Sequence, residues 1–295
     1  MQRRKNKLIG SFIGLAIGDA MGAPIEFKQR GSFIPVTSYR SGGKFNLKAG
    51  SYTDDTAMAL CLAQSLLKRE GFDAIDQLNR YVEWWHKGYM ACGDKAVGLG
   101  KTVMRSLLRY MRKKEPISDL KSEKFSGNGS LMRIAPICIY YANYLNKAVF
   151  LSALSSKTTH SSKIAVDSCK FLAYTLITLY NTNDKSIIFS EEHKKELLNF
   201  FSKEPLHPAL NDIIESKYIA KEQKQIKSAG YAIDSLEASL WSFYHTNNFE
   251  DAILKAVNLG GDADTIGAIT GQIAGAFYGA DKIPYPLIKD GARLV

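Results

Sequence analysis

Cysteine is the first scarcity. Four occur, Cys61, Cys92, Cys138 and Cys169, far apart, with no CxxC pair and no histidine at ligand spacing. That excludes a disulfide framework and a cysteine-based zinc site. Cys61, Cys138 and Cys169 stand among apolar residues and read as buried thiols. Long apolar runs are also missing. No stretch of eighteen consecutive apolar residues occurs, and the basic N-terminus has no long apolar segment with a cleavage site. The expectation is a cytoplasmic protein with no membrane partner. Linkers rich in proline, glycine or serine are absent, as are internal repeats. Residues 1–295 therefore read as one domain, taken as a monomer, with 45% apolar residues to build its core.

Acidic residues are outnumbered. There are 29 against 39 lysines and arginines, a formal net charge of +10. Such a balance suits an anionic partner: a pyrophosphate compound or an acidic protein. Helix-turn-helix, zinc-finger and RNP patterns are lacking, so nucleic acid is left open without support. Much of the basic charge falls in runs, Arg3-Arg4-Lys5, Arg112-Lys113-Lys114, Lys194-Lys195 and Lys217 to Lys227, that read as solvated helix faces. Alternating strand patterns are absent as well. Apolar residues recur with helical period over 8–21, 54–69, 73–87, 100–114, 131–145, 163–180, 230–246, 249–258 and 266–279, which predicts an all-α bundle. Residues 181–228 read as helix pieces and charged surface loops. Residues 28–50, with Gly31, Pro35, Gly42, Gly43 and Gly50, read as an irregular segment able to serve as a lid.

The few acids present are unevenly placed. Leu259-Gly260-Gly261-Asp262-Ala263-Asp264-Thr265 is a glycine turn, two carboxylates and a hydroxyl before a helix of small residues. One Asp would suffice as a cap. Gly50-Ser51-Tyr52-Thr53-Asp54-Asp55-Thr56, about 200 residues earlier, repeats the logic. Adjacent acids at a helix start point about 100° apart, so only one can cap and the two repel. Two such starts, meeting in space, would have a cation to neutralise them. Oxygen-only donors suit a hard divalent ion, and four carboxylates can balance two of them. The predicted shell for two Mg²⁺ or Mn²⁺ ions is Thr53, Asp54, Asp55, Asp262, Asp264 and Thr265. Gly127-Asn128-Gly129-Ser130 opens a predicted helix. Its backbone N–H groups read as an anion nest with Ser130 as a further donor, although an ordinary N-cap explains the same residues. Arg133 could pair with a phosphate or with a carboxylate near the metals. Asp19, at the end of the first helix, needs solvent, a backbone turn or the metal shell as partner. Glycines at 10, 14 and 18 predict close packing around the first helix, and small residues at 267, 268, 271, 274, 275, 276 and 279 predict that the last long helix is central, with its neighbours packed close.

Thr53-Asp54-Asp55-Thr56 and Gly261-Asp262-Ala263-Asp264-Thr265, in that order and at that distance, resemble the ADP-ribosylglycohydrolases. Gly10 to Gly22 resembles the family's opening helix, Gly127 to Arg133 its phosphate-binding turn and Thr159-His160-Ser161 its substrate-side histidine segment. The resemblance spans residues 8–280. It implies an orthogonal multi-helix bundle and hydrolysis of the bond between ADP-ribose and a protein side chain, arginine or serine, or a related conjugate. It further implies that Glu26 is a mobile acid, that Gly127, Asn128, Gly129 and Ser130 hold the pyrophosphate, and that His160 touches substrate. Glu26, Asp55 and Asp262 are then the expected catalytic acids, one of them a general base. In Cys92-Gly93-Asp94-Lys95-Ala96-Val97-Gly98 the chain departs from the family, because Ala96 stands where an acid precedes the Val-Gly pair. That weakens an arginine assignment. Two other readings follow from the same residues: a non-catalytic ADP-ribose-binding or structural relative, and a metal-dependent nucleotide-diphosphate phosphohydrolase. Gly98-Leu99-Gly100-Lys101-Thr102 lacks the earlier glycine of a P-loop and is rejected as one.

Overall fold

A computed structural model describes residues 2–291. Among them are thirteen α-helices and no strand: α1 Gln2–Gly22, α2 Asp54–Lys68, α3 Ala74–Lys87, α4 Lys101–Lys113, α5 Ala135–Tyr140, α6 Leu145–Lys157, α7 Lys163–Asn181, α8 Glu191–Phe200, α9 Asn211–Ile214, α10 Ala232–Tyr244, α11 Phe249–Val257, α12 Ala263–Tyr278 and α13 Tyr285–Lys289. Isolated β-bridges join Gly42 to Leu47 and Gly127 to Tyr231. The fold is all-α, as the periodicity predicts. Helix ends follow local chemistry. Asp73 caps α3 by accepting from the amides of Ile75 and Asp76, and Gly88 ends it in the left-handed region. Ser162 caps α7 through the Ala165 amide.

The predicted helix 131–145 is not one element. A 3₁₀ turn over Leu131–Arg133 precedes α5, and a break at 141–144 precedes α6. Pro136 has no N–H to give and fits only the first turn of a helix, so the helix begins anew at Ala135. At the second break, Arg4 of α1 donates to the Ala142 carbonyl at 2.5 Å and to the Asn143 side chain, holding the turn. Helix α6 has no counterpart among the predicted elements.

α1 and α12 run antiparallel with their backbones touching. An added Cβ at Gly10, Gly14, Gly18 or Gly22 would lie 2.6, 2.3, 2.0 or 2.3 Å from the carbonyl oxygen of Gly275, Gly271, Gly267 or Ala263. This four-step ladder puts the C-terminal end of α1, with Asp19 and Glu26 beyond it, against the N-terminal end of α12, with Asp262 and Asp264. An apolar window of eighteen residues within Gln2–Ile25, which takes in most of α1, is long and apolar enough to cross a membrane, despite its interspersed glycines and Asp19. In the fold, 78% of that window is buried. The main core gathers around α7, which is buried on nearly every side, together with α10, α11 and α12. A second core joins α2, α3 and α4. The acidic ends of α1, α2 and α12 meet between them.

Residues 28–50 are irregular but anchored. Arg30 donates to the carbonyls of Leu259 (3.0 Å) and Ile226 (2.6 Å), Asn258 brackets Val36 through both its backbone groups, and the Tyr39 hydroxyl donates to Leu287 O. The lid expected over the whole stretch reduces to Lys44 and Phe45, which alone of it reach the cleft described next.

Candidate active site

Pro24 halts α1 at Gly22 and sends the chain through a 3₁₀ turn to Glu26. Phe27, in the left-handed region at φ 66°, then pairs with the glycine turn before α12. Its amide donates to Gly261 O at 2.7 Å, and the Gly261 amide returns to Lys28 O at 2.8 Å. Gly260 and Gly261 hold φ +70° and +66°, and a Cβ on Gly261 would lie 2.1 Å from Ser228 O. Only glycine satisfies both demands. The Asp262 amide also donates to Ser228 O (2.8 Å) and the Asn128 amide to Gly230 O (3.1 Å). Residues 226–231 thus tie the two glycine turns together. Nothing in their own composition marks this role; Lys227 belongs to a basic run, and 230–231 begin an apolar helical period.

Six carboxylates converge here: Asp19, Glu26, Asp54, Asp55, Asp262 and Asp264. Oxygens of Asp19, Asp55 and Asp264 lie within 4.8 Å of one another, and so do those of Glu26, Asp262 and Asp264. The two triads share Asp264. None of the six makes an ion pair within 4 Å with a described Lys, Arg or His, and buried Asp55 Oδ1 and Glu26 Oε2 have no hydrogen-bond partner among the described residues. Burial and mutual repulsion drive Asp54, Asp55 and Asp264 well above the usual carboxylate range. Burial, then the Asp262 charge, pushes Glu26 up to about 8. Burial raises Asp262 against the Asn128 hydrogen bond, and raises Asp19 against donors from Thr53 and Thr56. Buried, crowded, oxygen-only and short of positive charge, this donor set fits hard divalent cations.

The structure sorts the expected residues. Asp55, Asp262 and Asp264 belong to the triads, while Asp54 and Thr265 line the cleft beside them. Thr53, like Asp19 and Asp55, lies behind the residues that line the cleft. Its hydroxyl donates to Asp19 Oδ1 at 2.8 Å and lies 3.3 Å from Asp55 Oδ2. Asp19 takes four donations, from the amides and hydroxyls of Thr53 and Thr56, and braces the start of α2. Neither Ala96 nor Asp94 lines the cleft; Asp94 borders a separate depression with Tyr52 and Cys92. Gly98 does reach it, at φ +87°, where a Cβ would lie 2.0 Å from Asp54 Oδ1.

The cleft, about 520 Å³, runs from these acids past Gly127, Asn128 and Gly129 to His160, with Phe27, Phe45, Lys44 and Lys101 at its walls. Asn128 Nδ2 donates to Asp262 Oδ2 at 2.5 Å and to Ser235 Oγ at 2.8 Å, joining the turn to the acids. The turn opens a 3₁₀ turn rather than the predicted α-helix, so the nest does not stand at an α-helix N-terminus. The amides of Gly129 and Ser130 nonetheless have no backbone partner among the described residues. Two other expectations are overturned. The Ser130 hydroxyl points into the core, accepting from Ser156 Oγ at 2.9 Å and Cys169 Sγ at 3.4 Å. Arg133 is fully buried and pairs with no carboxylate among the described residues: it donates to Gly129 O (2.9 Å) and Thr159 Oγ1 (2.7 Å) and lies over the Tyr81 ring, with no surface left to face a ligand. A continuous helix from 131 would aim Arg133 differently, and Ser130 at its N-cap would face the helix amides. His160 packs beneath the turn, where a Cβ on Gly129 would come 2.9 Å from its Cε1. Burial, then the Arg133 charge, holds it down to about 3, so its ring is neutral.

The ADP-ribosylglycohydrolase family model matches residues 1–291. A protein named ADP-ribosylarginine hydrolase Tri1, from Serratia proteamaculans, is 36% identical over 95% of this chain and 74% of its own. The ADP-ribosyl-[dinitrogen reductase] glycohydrolase of Rhodospirillum rubrum is 27% identical over 95% of this chain and 88% of its own. A solved structure described as an ADP-ribosylglycohydrolase-related protein complex has a TM-score of 0.81 and 36% identity, covering 99% of this chain and 94% of its own. This chain belongs to the ADP-ribosylglycohydrolase family, enzymes that hydrolyse ADP-ribosyl bonds.

Proposed function

We propose that this chain is a Mg²⁺-dependent hydrolase that releases ADP-ribose from a modified protein side chain, arginine first among acceptors. The observation that carries the reading is the pair of carboxylate triads sharing Asp264 at one end of a cleft whose other end is the Gly127–Gly129 turn. Asp54, Asp55 and Asp264 would hold one cation, and Glu26, Asp262 and Asp264 the other, with Thr265 beside them and Asp19, its oxygens taken up by Thr53 and Thr56, bracing the start of α2 behind them. The ions, when bound, supply charge that orients ribose hydroxyls and acidifies a water.

The chain's own residues supply the rest. Gly127, Asn128 and Gly129 present backbone and amide groups to a pyrophosphate, with Lys44 and Lys101 adding positive charge at the walls. Phe27 and Phe45 close the cleft against water. Glu26 lines the cleft and accepts a proton from the attacking water. Asp262, held by Asn128, keeps the acids and the turn in register. Asp55 does not line the cleft, so its part is that of a ligand and not of a base touching substrate. Arginine is favoured by the relative named for that acceptor. With no carboxylate from 92–98 in the cleft, Asp54 is the acid left to face a guanidinium.

Incubating the protein with ADP-ribosyl-arginine and ADP-ribosyl-serine peptides, with Mg²⁺ and with EDTA, and weighing the products by mass spectrometry, tests this. Free ADP-ribose from the arginine peptide, only with Mg²⁺, is expected. Equal release in EDTA would remove the metal, release from serine alone would replace the acceptor, and AMP would indicate phosphohydrolysis.

A further inference from the structure

The floor of the cleft contains a hydrogen-bond chain whose directions are fixed by its first member. Arg133 can only donate, and its Nη2 donates to Thr159 Oγ1 at 2.7 Å. Thr159 Oγ1 lies 2.9 Å from His160 Nδ1. Thr159 is fully buried, and its hydroxyl has no other acceptor among the described residues. If Nδ1 carried the proton, the threonine hydroxyl would receive two donations and bury its own proton unpaired, which is strongly disfavoured. The hydroxyl therefore donates to Nδ1, and the proton of the neutral ring sits on Nε2.

Nε2 is the atom at the cleft. It has no hydrogen-bond partner among the described residues, and an added Cβ at Gly127 or Gly129 would lie 3.3 Å from it. The glycines leave room between this nitrogen and the cleft. Arg133 also holds the turn itself, through Gly129 O at 2.9 Å. One buried guanidinium thus sets both the backbone of the turn and the hydrogen bonding of the ring below it.

We propose that Arg133 and Thr159 are positioning residues that fix His160 as its Nε2–H tautomer, making the ring a permanent donor to an oxygen of the bound ADP-ribose moiety and not a proton-transfer group. The ligand half of this rests on the function proposed above; the tautomer half does not.

Two measurements separate them. Two-bond ¹H–¹⁵N correlation spectra of histidine-labelled protein, with His160 assigned by loss of its signals in His160→Gln, read the tautomer without ligand. A protonated Nε2 with a bare Nδ1 is expected, unchanged between pH 6 and pH 8. A ring protonated on Nδ1, or on both nitrogens, overturns the proposal. Calorimetry with free ADP-ribose and Mg²⁺ reads the consequence. Thr159→Val should weaken binding about tenfold, the worth of one neutral hydrogen bond, and blur the tautomer signature, whereas Thr159→Ser restores both. Wild-type affinity in Thr159→Val also overturns it. Should Thr159→Val fail to fold, the wild-type and Thr159→Ser spectra still decide. If wild-type protein binds no ADP-ribose, the functional reading and the ligand half fall, and the spectra alone judge the tautomer.

Discussion

Asp264 is the residue on which the acidic cluster depends, since both triads include it. Replacing it with asparagine removes a charge from each cation site while keeping the side chain's volume. Mg²⁺-dependent turnover of an ADP-ribosyl-arginine peptide should fall more than about 100-fold, beyond what loss of a supporting residue costs. In EDTA the same substitution removes like-charge repulsion at a buried position, so the metal-free protein should melt higher than wild type. A merely structural aspartate would give the opposite melting shift, and calorimetric scans in EDTA distinguish the two. Gly129 carries a second expectation. A valine there would press on the His160 ring, where even a first carbon sits at 2.9 Å, and should weaken ADP-ribose binding about tenfold or more by calorimetry. Unchanged affinity would remove the turn from the site. The aspartate pairs were legible because two adjacent acids at a helix start have no local use. Asp19 was legible only as a problem, since its four donors come from Thr53 and Thr56, more than 30 residues away. The directions of Ser130 and Arg133 are hidden for another reason: where a side chain points depends on whether a 3₁₀ turn or an α-helix follows or carries it.

At the scale of elements, the α1–α12 ladder positions the chemistry. Four close steps fix the register between the ends that carry Asp19 and Glu26 on one side and Asp262 and Asp264 on the other. A methyl at Gly14 would stand 2.3 Å from Gly271 O, and neither helix can yield alone because both lie in the core. Gly14→Ala should therefore destabilise by about 3 kcal/mol, a fall in melting temperature of about 6 °C. Affinity for Mg²⁺ should weaken with it, as the triads lose register. Gly31→Ala, where an added carbon meets nothing, serves as comparison, although its φ of +77° carries a small backbone strain of its own. Equal melting of Gly14→Ala and wild type would refute the ladder. The glycine spacing in each helix was plain in the sequence, but not that the two stripes face each other, because pairing across some 250 residues leaves no local trace. Helix periods were legible wherever a cap and a breaker bounded them. They failed over 131–145, where Pro136 and the reach of Arg4 interrupt an apolar run that looks continuous.

For the whole molecule, the unbalanced acids couple metal, proton and stability. Glu26 has a folded value of about 8, against about 4.3 in an unfolded chain, so the metal-free fold binds a proton that the unfolded chain releases. A raised value of this kind lends stability that is complete below about pH 4 and lost as pH climbs through about 8. From pH 6 to pH 8, Glu26 alone makes the metal-free protein less stable by about 2 kcal/mol, and Asp54, Asp55 and Asp264 shift in the same direction. His160 acts oppositely. Its folded value, held to about 3, means the unfolded chain takes up the proton, so its contribution grows as pH rises toward 6.5. The sum in EDTA is therefore ambiguous, but the difference between Mg²⁺ and EDTA is not, because His160 contributes equally to both. Cations neutralise the carboxylates in place of protons, and they bind the deprotonated site more tightly. The gap in melting temperature between saturating Mg²⁺ and EDTA should widen by about 4 °C or more from pH 6 to pH 8. A gap independent of pH would mean that protons and metal do not compete for these six carboxylates, and the cluster would then need some other source of positive charge than a bound cation.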